Sequence, residues 1–254
     1  MTPTTRNSLA HGAIATISLA FVNVIGIYRA LEPRLGAIEW EPWRPSTLLT
    51  ALLLLDFLSY WGHRAAHRVS LLWAVHVVHH QSPHVDLATG LRSPALQIVL
   101  HAPWTALLAV SGIPFEPMLT VYLVHQLYKL AVHSEHPSCM DAASRWLVTP
   151  AFHRLHHGVG WDHVNFGAML SIWDRAFGTF GDPTIEPVRY GTDAPLVHDV
   201  LRNNLDPLRE WAAAQGSRQR AAKQLTPLAN RLVAPRPEGQ ITQPIRPDGH
   251  SHQP

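Results

Sequence analysis

Two stretches of 22 residues, Asn7 to Tyr28 and Pro94 to Phe115, contain no Asp, Glu, Lys or Arg. A helix rising 1.5 Å per residue needs about 20 such residues to cross the hydrocarbon core of a bilayer. Arg6 and Arg29 flank the first stretch as interfacial ends. It is longer than the roughly 7–15 apolar residues of a signal core, and no small-x-small cleavage site follows, so it is read as a retained span. Ser46 to Gly62, broken only by Asp56, is a second span, Pro94 to Phe115 the third, and Met118 to Val132, with Lys129 near its end, the fourth. Pro103 predicts a kink in the third span. Ile113 to Pro117 reads as a tight turn that makes spans three and four a helical hairpin. Charged residues make up 15% of the chain, against about a quarter in a soluble domain. That deficit, with a net charge of +2, excludes a disordered or nucleic-acid-binding protein.

The expected fold is therefore all-α: an integral membrane helical bundle with about four transmembrane helices. Residues 1–45 form an N-terminal helix and loop, and residues 46–195 the central domain. Residues 196–254 comprise a C-terminal helix, marked by Leu201, Leu205 and Leu208 but interrupted by Pro207, and a tail. Beyond Gly216 the chain is rich in Arg, Gln and Pro, which predicts disorder.

Fourteen of the 18 histidines lie between His63 and His163. Three clusters stand out: His63/His67 at i, i+4, and His76/His79/His80 and His153/His156/His157, both at i, i+3, i+4. Residues at these spacings are neighbours on a helix. Protonated imidazoles so placed would repel; neutral and converging, they are metal ligands. Imidazole suits iron, zinc, copper and nickel, whereas magnesium and calcium prefer oxygen. Eight or more histidines exceed what one ion uses and predict two ions about 3.5–4 Å apart. The single cysteine, Cys139, excludes an intrachain disulfide, a four-cysteine zinc site and a self-contained iron–sulfur cluster. Neither His-Glu-x-x-His nor Glu-x-x-His occurs.

Ligand rings need an acceptor for their second nitrogen. Asp56, two turns before His63, is the first candidate, with Glu135, Asp162 and Asp174 as others. His11, His101, His125 and His198 are scattered and read as ordinary polar residues, and His250 and His252 belong to the tail. His84, His136 and His163 lie beside the clusters and are not assigned. The clusters follow spans two and four, so they emerge on one side of the membrane. Arg6, Arg64, Arg68, Arg92 and Arg145 on that side outnumber Arg29, Arg34 and Arg44 opposite, which places the histidines in the cytoplasm.

The stretch from Asp56 to His67 resembles the first motif of the fatty acid hydroxylase/sterol desaturase superfamily. Leu72 to His80 with Ala88 to Arg92 resembles the second, and Val148 to His157 the third. Asn165 to Gly167 and Trp173 to Thr179 resemble the closing signature. Val132-His133-Ser134-Glu135 is most similar to the alkylglycerol monooxygenase branch, while Asp86 departs from the usual Asn. The resemblance implies an O₂-dependent, non-haem di-iron enzyme that hydroxylates or desaturates a fatty acyl, sterol or alkyl-glycerol lipid at the bilayer. It implies nine ligands: His63, His67, His76, His79, His80, His133, His153, His156 and His157. Asp56 and Glu135 would act behind them. Zinc could replace iron in purified protein. With no fused carrier visible, electrons would come from a separate electron-transfer protein. The residues alone also admit a zinc-dependent membrane hydrolase, a haem-ligating membrane cytochrome, or a non-catalytic metal-binding protein.

Overall fold

The computed structural model describes residues 2–18, 25–36, 38–94, 96–136, 139–192 and 198–233. It divides into two units, Met1–Trp211 and Ala212–Pro254. The regular secondary structure of the described residues is helical, with two isolated bridges, Leu147 to Leu170 and Gly158 to Tyr190, as their only β pairing. The all-α expectation therefore holds. Among the described residues no helix is long and apolar enough to cross a membrane.

The helices run α1 (Pro3–Ser18), α2 (Arg29–Leu35), α3 (Pro45–Arg68), α4 (Ser70–His80), α5 (Leu87–Gly90), α6 (Gln97–Ala109), α7 (Phe115–Ala131), α8 (Pro150–His157), α9 (Ile172–Ala176) and α10 (Val200–Val233). A 3₁₀ helix, Cys139–Arg145, precedes α8. The first expected span is divided between α1 and residues 25–28, and its stretch 19–24 lies outside the described residues. The second becomes α3, which continues without a break through His63 and His67. The third shortens to the 13 residues of α6, with Pro103 inside, whereas the fourth starts three residues early and lengthens to the 17 of α7. Helix α10 runs through Pro207 and Gly216 to Val233, so disorder does not begin at Gly216 as composition suggests. An interior glycine costs a helix only about 1 kcal/mol. The last prolines, with His250 and His252, lie outside the described residues.

Helix α3 is the axis of the first unit. It packs on α4, α6 and α7, and the last two lean on α3 rather than on each other. The buried core between them joins Ala51, Leu55 and Leu58 of α3 to Leu108, Ala109, Ile113, Met118, Val121 and Tyr28. The α6–α7 turn is tighter than expected, because Phe115 already opens α7. Gly112 enters it at φ 72°, and a Cβ there would stand 2.5 Å from the carbonyl of Ile38, so only glycine fits. Tyr28 and Trp40 donate to the turn carbonyls of Ile113 (2.6 Å) and Ser111 (2.8 Å).

Asp56 ties α3 to its surroundings. Its carboxylate accepts from the N–H groups of Met169 (2.8 Å) and Leu170 (3.1 Å), from Trp173 Nε1 (2.8 Å) and from His125 Nε2 (3.0 Å). The side chain is fully buried, so each of these donors has exchanged water for the carboxylate.

Candidate metal centre

Each HxxHH motif serves two places at once. At 100° per residue, positions i and i+4 lie 40° apart, while i+3 lies 60° to the other side. His76 and His80 of α4 accordingly join His63 and His67 of α3, and His156 of α8 completes that group of five. His153 and His157 of α8 join His79 of α4 and His133, just beyond α7, in a group of four. Within each group the ligand atoms lie within 4.8 Å of one another. The groups adjoin: the rings of His80 and His157 stack at 4.4 Å, although they belong to different groups. All nine expected histidines are thus brought together.

Local structure explains the aim of the rings. Thr149 caps α8, its Oγ1 accepting from Phe152 N–H at 3.3 Å, and Pro150 starts the helix where no N–H is needed. Asp86 caps α5 in the same way through Thr89 N–H at 2.6 Å. That helix presents Gly90, whose added Cβ would meet His133 Cγ at 3.0 Å; the missing side chain is the space the ring occupies.

In four of the nine rings the nitrogen turned away from the group is held by a main-chain carbonyl. His63 Nδ1 bonds Phe166 C=O (2.9 Å), His79 Nδ1 bonds Arg92 C=O (3.1 Å), His133 Nδ1 bonds Lys129 C=O (2.7 Å) and His156 Nδ1 bonds Val164 C=O (2.7 Å). A carbonyl only accepts, so these four rings carry hydrogen on Nδ1 and a lone pair on Nε2. The carboxylates expected for this task do not perform it. Asp56 makes its four bonds elsewhere, and Glu135 is exposed. Asp174 acts one step removed. It is fully buried and accepts from Phe166 N–H (2.8 Å) and Gly167 N–H (2.7 Å), fixing the turn whose carbonyl holds His63. Burial raises its carboxyl to about 6. Asn165 adopts φ 60° in that turn, a conformation Asn tolerates, and its side chain links Phe152 C=O to Gly181 N–H.

Several of the inward nitrogens are buried with no hydrogen-bond partner: Nε2 of His63, His67, His76, His80 and His156. In the group of four, His79 Nε2 lies 3.2 Å from His133 Nε2, which lies 3.0 Å from His153 Nε2, itself 3.1 Å from His157 Nε2. His79 and His133 both spend their hydrogen on a carbonyl, so two lone pairs face each other at 3.2 Å. A cation between them resolves this, and a proton is disfavoured, because burial depresses the imidazoles. His76 falls to about 3 and His156 to about 4, with desolvation the largest cause in both. Two nitrogens each about 2.1 Å from one ion, at right angles, stand about 3.0 Å apart. The donor set fits metal ions, and its all-nitrogen chemistry fits iron or zinc rather than magnesium or calcium.

Of the other histidines, His84, His136 and His163 are exposed and join neither group. His125 is paired with Asp56, His101 bonds Gln97 at 3.0 Å, and His11 bonds Asn7 and Asn204. Sequence reasoning overlooked Arg92 as a supporting residue. It is fully buried, its carbonyl orients His79, and its guanidinium donates to Val78 C=O (2.8 Å), Asn7 Oδ1 (2.8 Å) and Gln81 Oε1 (3.2 Å). A buried arginine with no carboxylate partner was the available signal.

A cavity of about 520 Å³ reaches both groups, touching His63, His76, His79, His133 and His153. From there it runs between α3, α6 and α7 past Leu55, Leu58, Leu100, Trp104, Leu108 and Met118 to Tyr28.

Helices wrapped around nine converging imidazoles, with an apolar cavity leading to them, define a histidine-cluster protein whose two groups could each hold a metal ion. The chain belongs to the fatty acid hydroxylase family, whose model matches residues 48–179. It is 35% identical over 213 residues to human alkylglycerol monooxygenase, covering 80% of this chain and 44% of that protein. It is 35% identical over 166 residues to alkylglycerol monooxygenase of Danio rerio (61% and 35%). It is 25% identical over 175 residues to ornithine lipid hydroxylase OlsE of Rhizobium tropici (68% and 52%). The chain thus spans between about a third and a half of these relatives. No solved structure matches it.

The Asp174 brace makes a graded prediction. In Asp174→Asn the amide can present an acceptor to only one of the two N–H groups of Phe166 and Gly167. Metal affinity at the group of five is expected to fall about 10–100-fold, the usual effect of disturbing a ligand's support, with the group of four spared. Competitive metal titration resolves the two sites; equal affinity in variant and wild type would remove Asp174 from the site's support.

Proposed function

We propose that the protein is an O₂-dependent lipid hydroxylase or desaturase with two iron ions, one in each histidine group, acting on a lipid with one long acyl or alkyl chain. The observation that carries this reading is the junction of both groups with one apolar cavity, whose volume lies within the roughly 300–1,000 Å³ that hold a single small ligand. Iron bound there supplies activation of O₂ and oxidation of an unactivated C–H bond. The chain's own residues do the rest. The cavity walls orient the chain and exclude water, and the carbonyls of Phe166, Arg92, Lys129 and Val164 keep the imidazoles aimed inward. Hydroxylation consumes one O₂, two electrons and two protons, giving the alcohol and one water. Desaturation removes two hydrogens, and both oxygen atoms leave as water. The electrons come from a separate electron-transfer protein. Alkylglycerol, ornithine lipid and fatty acid figure in the relatives' names, which supports the substrate class.

Membrane residence belongs to the same proposal. Leu107, Leu123, Val124 and Leu127 are each more than half exposed on α6 and α7. Exposed apolar side chains of this kind suit a bilayer, with the histidine groups on the cytoplasmic side, the side the arginine bias favours. The test is turnover under ¹⁸O₂ by reduced, iron-loaded protein with a long-chain lipid and an electron donor. Label in a product heavier by one oxygen identifies hydroxylation, and label in water with loss of two hydrogens identifies desaturation. Lipid unchanged in both respects would overturn the reading.

A further inference from the structure

We propose that Tyr60 is a redox-active residue: when the cavity holds no lipid, it gives one electron to the oxidised metal centre across Phe166 and hands its proton along Thr179 to Asp174. The inference rests on the lipid-oxidising function above, which supplies the oxidant. Tyr60 is fully buried and is not among the residues that line the cavity, so it takes no part in holding the ligand. Its ring centroid lies 6.3 Å from that of Phe166, which is also fully buried and lies 5.4 Å from His67, 5.7 Å from His156 and 5.8 Å from His63. Tyr60 also stacks on Phe177 at 5.5 Å and meets Trp61 edge-on at 5.5 Å. Phe177 is 38% exposed and Trp61 half-buried. Rings in near contact therefore lead from three ligands of the group of five to the surface.

A phenol yields an electron readily only if its proton leaves too, because the oxidised phenol is a strong acid. The acceptor is in place. Thr179 Oγ1 donates to Asp174 Oδ1 at 2.7 Å and stands 2.9 Å from Tyr60 Oη, which accepts from Arg64 at 3.0 Å. A hydroxyl has one hydrogen. Thr179 has spent its own on Asp174, so the remaining bond runs from the phenol to the threonine. Both separations are within reach of proton transfer. Asp174 is fully buried, and the burial that raises its carboxyl to about 6 makes it a better base than a carboxylate in water. The step balances. The O–H bond of Tyr60 breaks, Thr179 takes that proton and passes its own to Asp174, the centre gains one electron, and a neutral tyrosyl radical remains. A one-electron reductant at the Phe177–Trp61 surface, such as ascorbate, then restores the tyrosine as the proton returns from Asp174.

The test is photochemical oxidation of full-length, zinc-filled protein in detergent, which needs neither iron nor turnover. A ruthenium tris-bipyridine photosensitiser with persulfate oxidises the protein surface, and electron paramagnetic resonance reads the radicals. A tyrosyl signal is expected, and of the five tyrosines it is Tyr60 whose change to Phe should remove most of it. Thr179→Val keeps the phenol and removes the proton path; it should lower the signal several-fold and leave the oxidation on tryptophan, while Thr179→Ser should restore it. A tyrosyl signal as strong in Tyr60→Phe as in wild type overturns the proposal. So does one unchanged in Thr179→Val, a comparison that stands should the phenylalanine variant fail to fold. In iron-loaded protein under O₂ without lipid the same radical is expected, and Tyr60→Phe should accumulate oxidised histidine several-fold faster by peptide mass spectrometry. Consumption of O₂ with neither effect also overturns the proposal. A Tyr60 radical in zinc-filled protein whose iron form never consumes O₂ would sink the oxygenase reading and leave the redox-active tyrosine standing.

Discussion

His156→Ala is expected to lower the metal content from two ions per chain to one and to bring lipid oxidation below detection. His156 is fully buried, and its ring centroid lies 4.5 Å from that of His63, 4.6 Å from His67 and 4.9 Å from His80. It is the one member of the group of five that comes from α8, so its loss removes the only tie between that helix and the α3–α4 ligands of this group. Val164 C=O would lose its donor as well. His157→Ala should show the mirror result, losing the ion of the group of four. His84→Ala, His136→Ala and His163→Ala, all exposed, should keep both ions and full activity. Elemental analysis beside a circular dichroism spectrum separates loss of an ion from loss of the fold. A folded His156→Ala protein with two ions and wild-type turnover would mean that the histidine groups are not the metal sites.

Exchange of iron for zinc is expected to abolish O₂ consumption altogether, with metal stoichiometry and fold unchanged. Imidazole sites bind zinc at least as tightly as ferrous iron in the divalent series, and nothing in the nine-histidine set discriminates by charge or softness. Zinc has no redox chemistry, so the zinc-filled protein should hold lipid without oxidising it. Oxygen uptake by stripped protein reloaded with either metal measures the contrast. Lipid hydrolysis by the zinc form without O₂ would instead establish the hydrolase that the sequence alone also admits.

Eight of the nine histidines were legible because ligand spacing on a helix is written directly in residue numbers; His133 stands alone in the sequence and came only from the family resemblance. Their partition was less so: His79 and His156 lie on the same stripe as their neighbours in sequence, yet each crosses to the other group. The supporting acceptors were not legible. A main-chain carbonyl has no residue identity, and Phe166, Val164, Arg92 and Lys129 serve through theirs. Asp56 shows why helical phase alone misleads. Seven residues before His63 it shares a face, but seven rises of 1.5 Å separate it by about 10 Å along the axis, beyond any hydrogen bond. Its partners, Met169, Leu170 and Trp173, are more than a hundred residues away in sequence. Helix positions were readable from the apolar runs, whereas the bounds of α6 and α7 were not: the glycine turn ends α6 while the sequence is still apolar, and Pro114 as N-cap lets α7 begin at Phe115, inside the stretch read as a turn.

Asn7 joins the beginning and the late part of the first unit around Arg92: its Oδ1 accepts from both Arg92 and Asn203 (3.0 Å), and its amide donates to His198 C=O. Arg92 in turn holds the carbonyl that aims His79. The order of synthesis therefore matters. Asn203 leaves the ribosome 140 residues after His63, which at about 5–20 residues per second is roughly 7–28 s. For that interval the imidazoles of α3 and α4 exist without the clasp that fixes their neighbour and, until α8 follows, without the other half of either group. The centre is finished late, and a complete set of donors for an ion exists only from that moment.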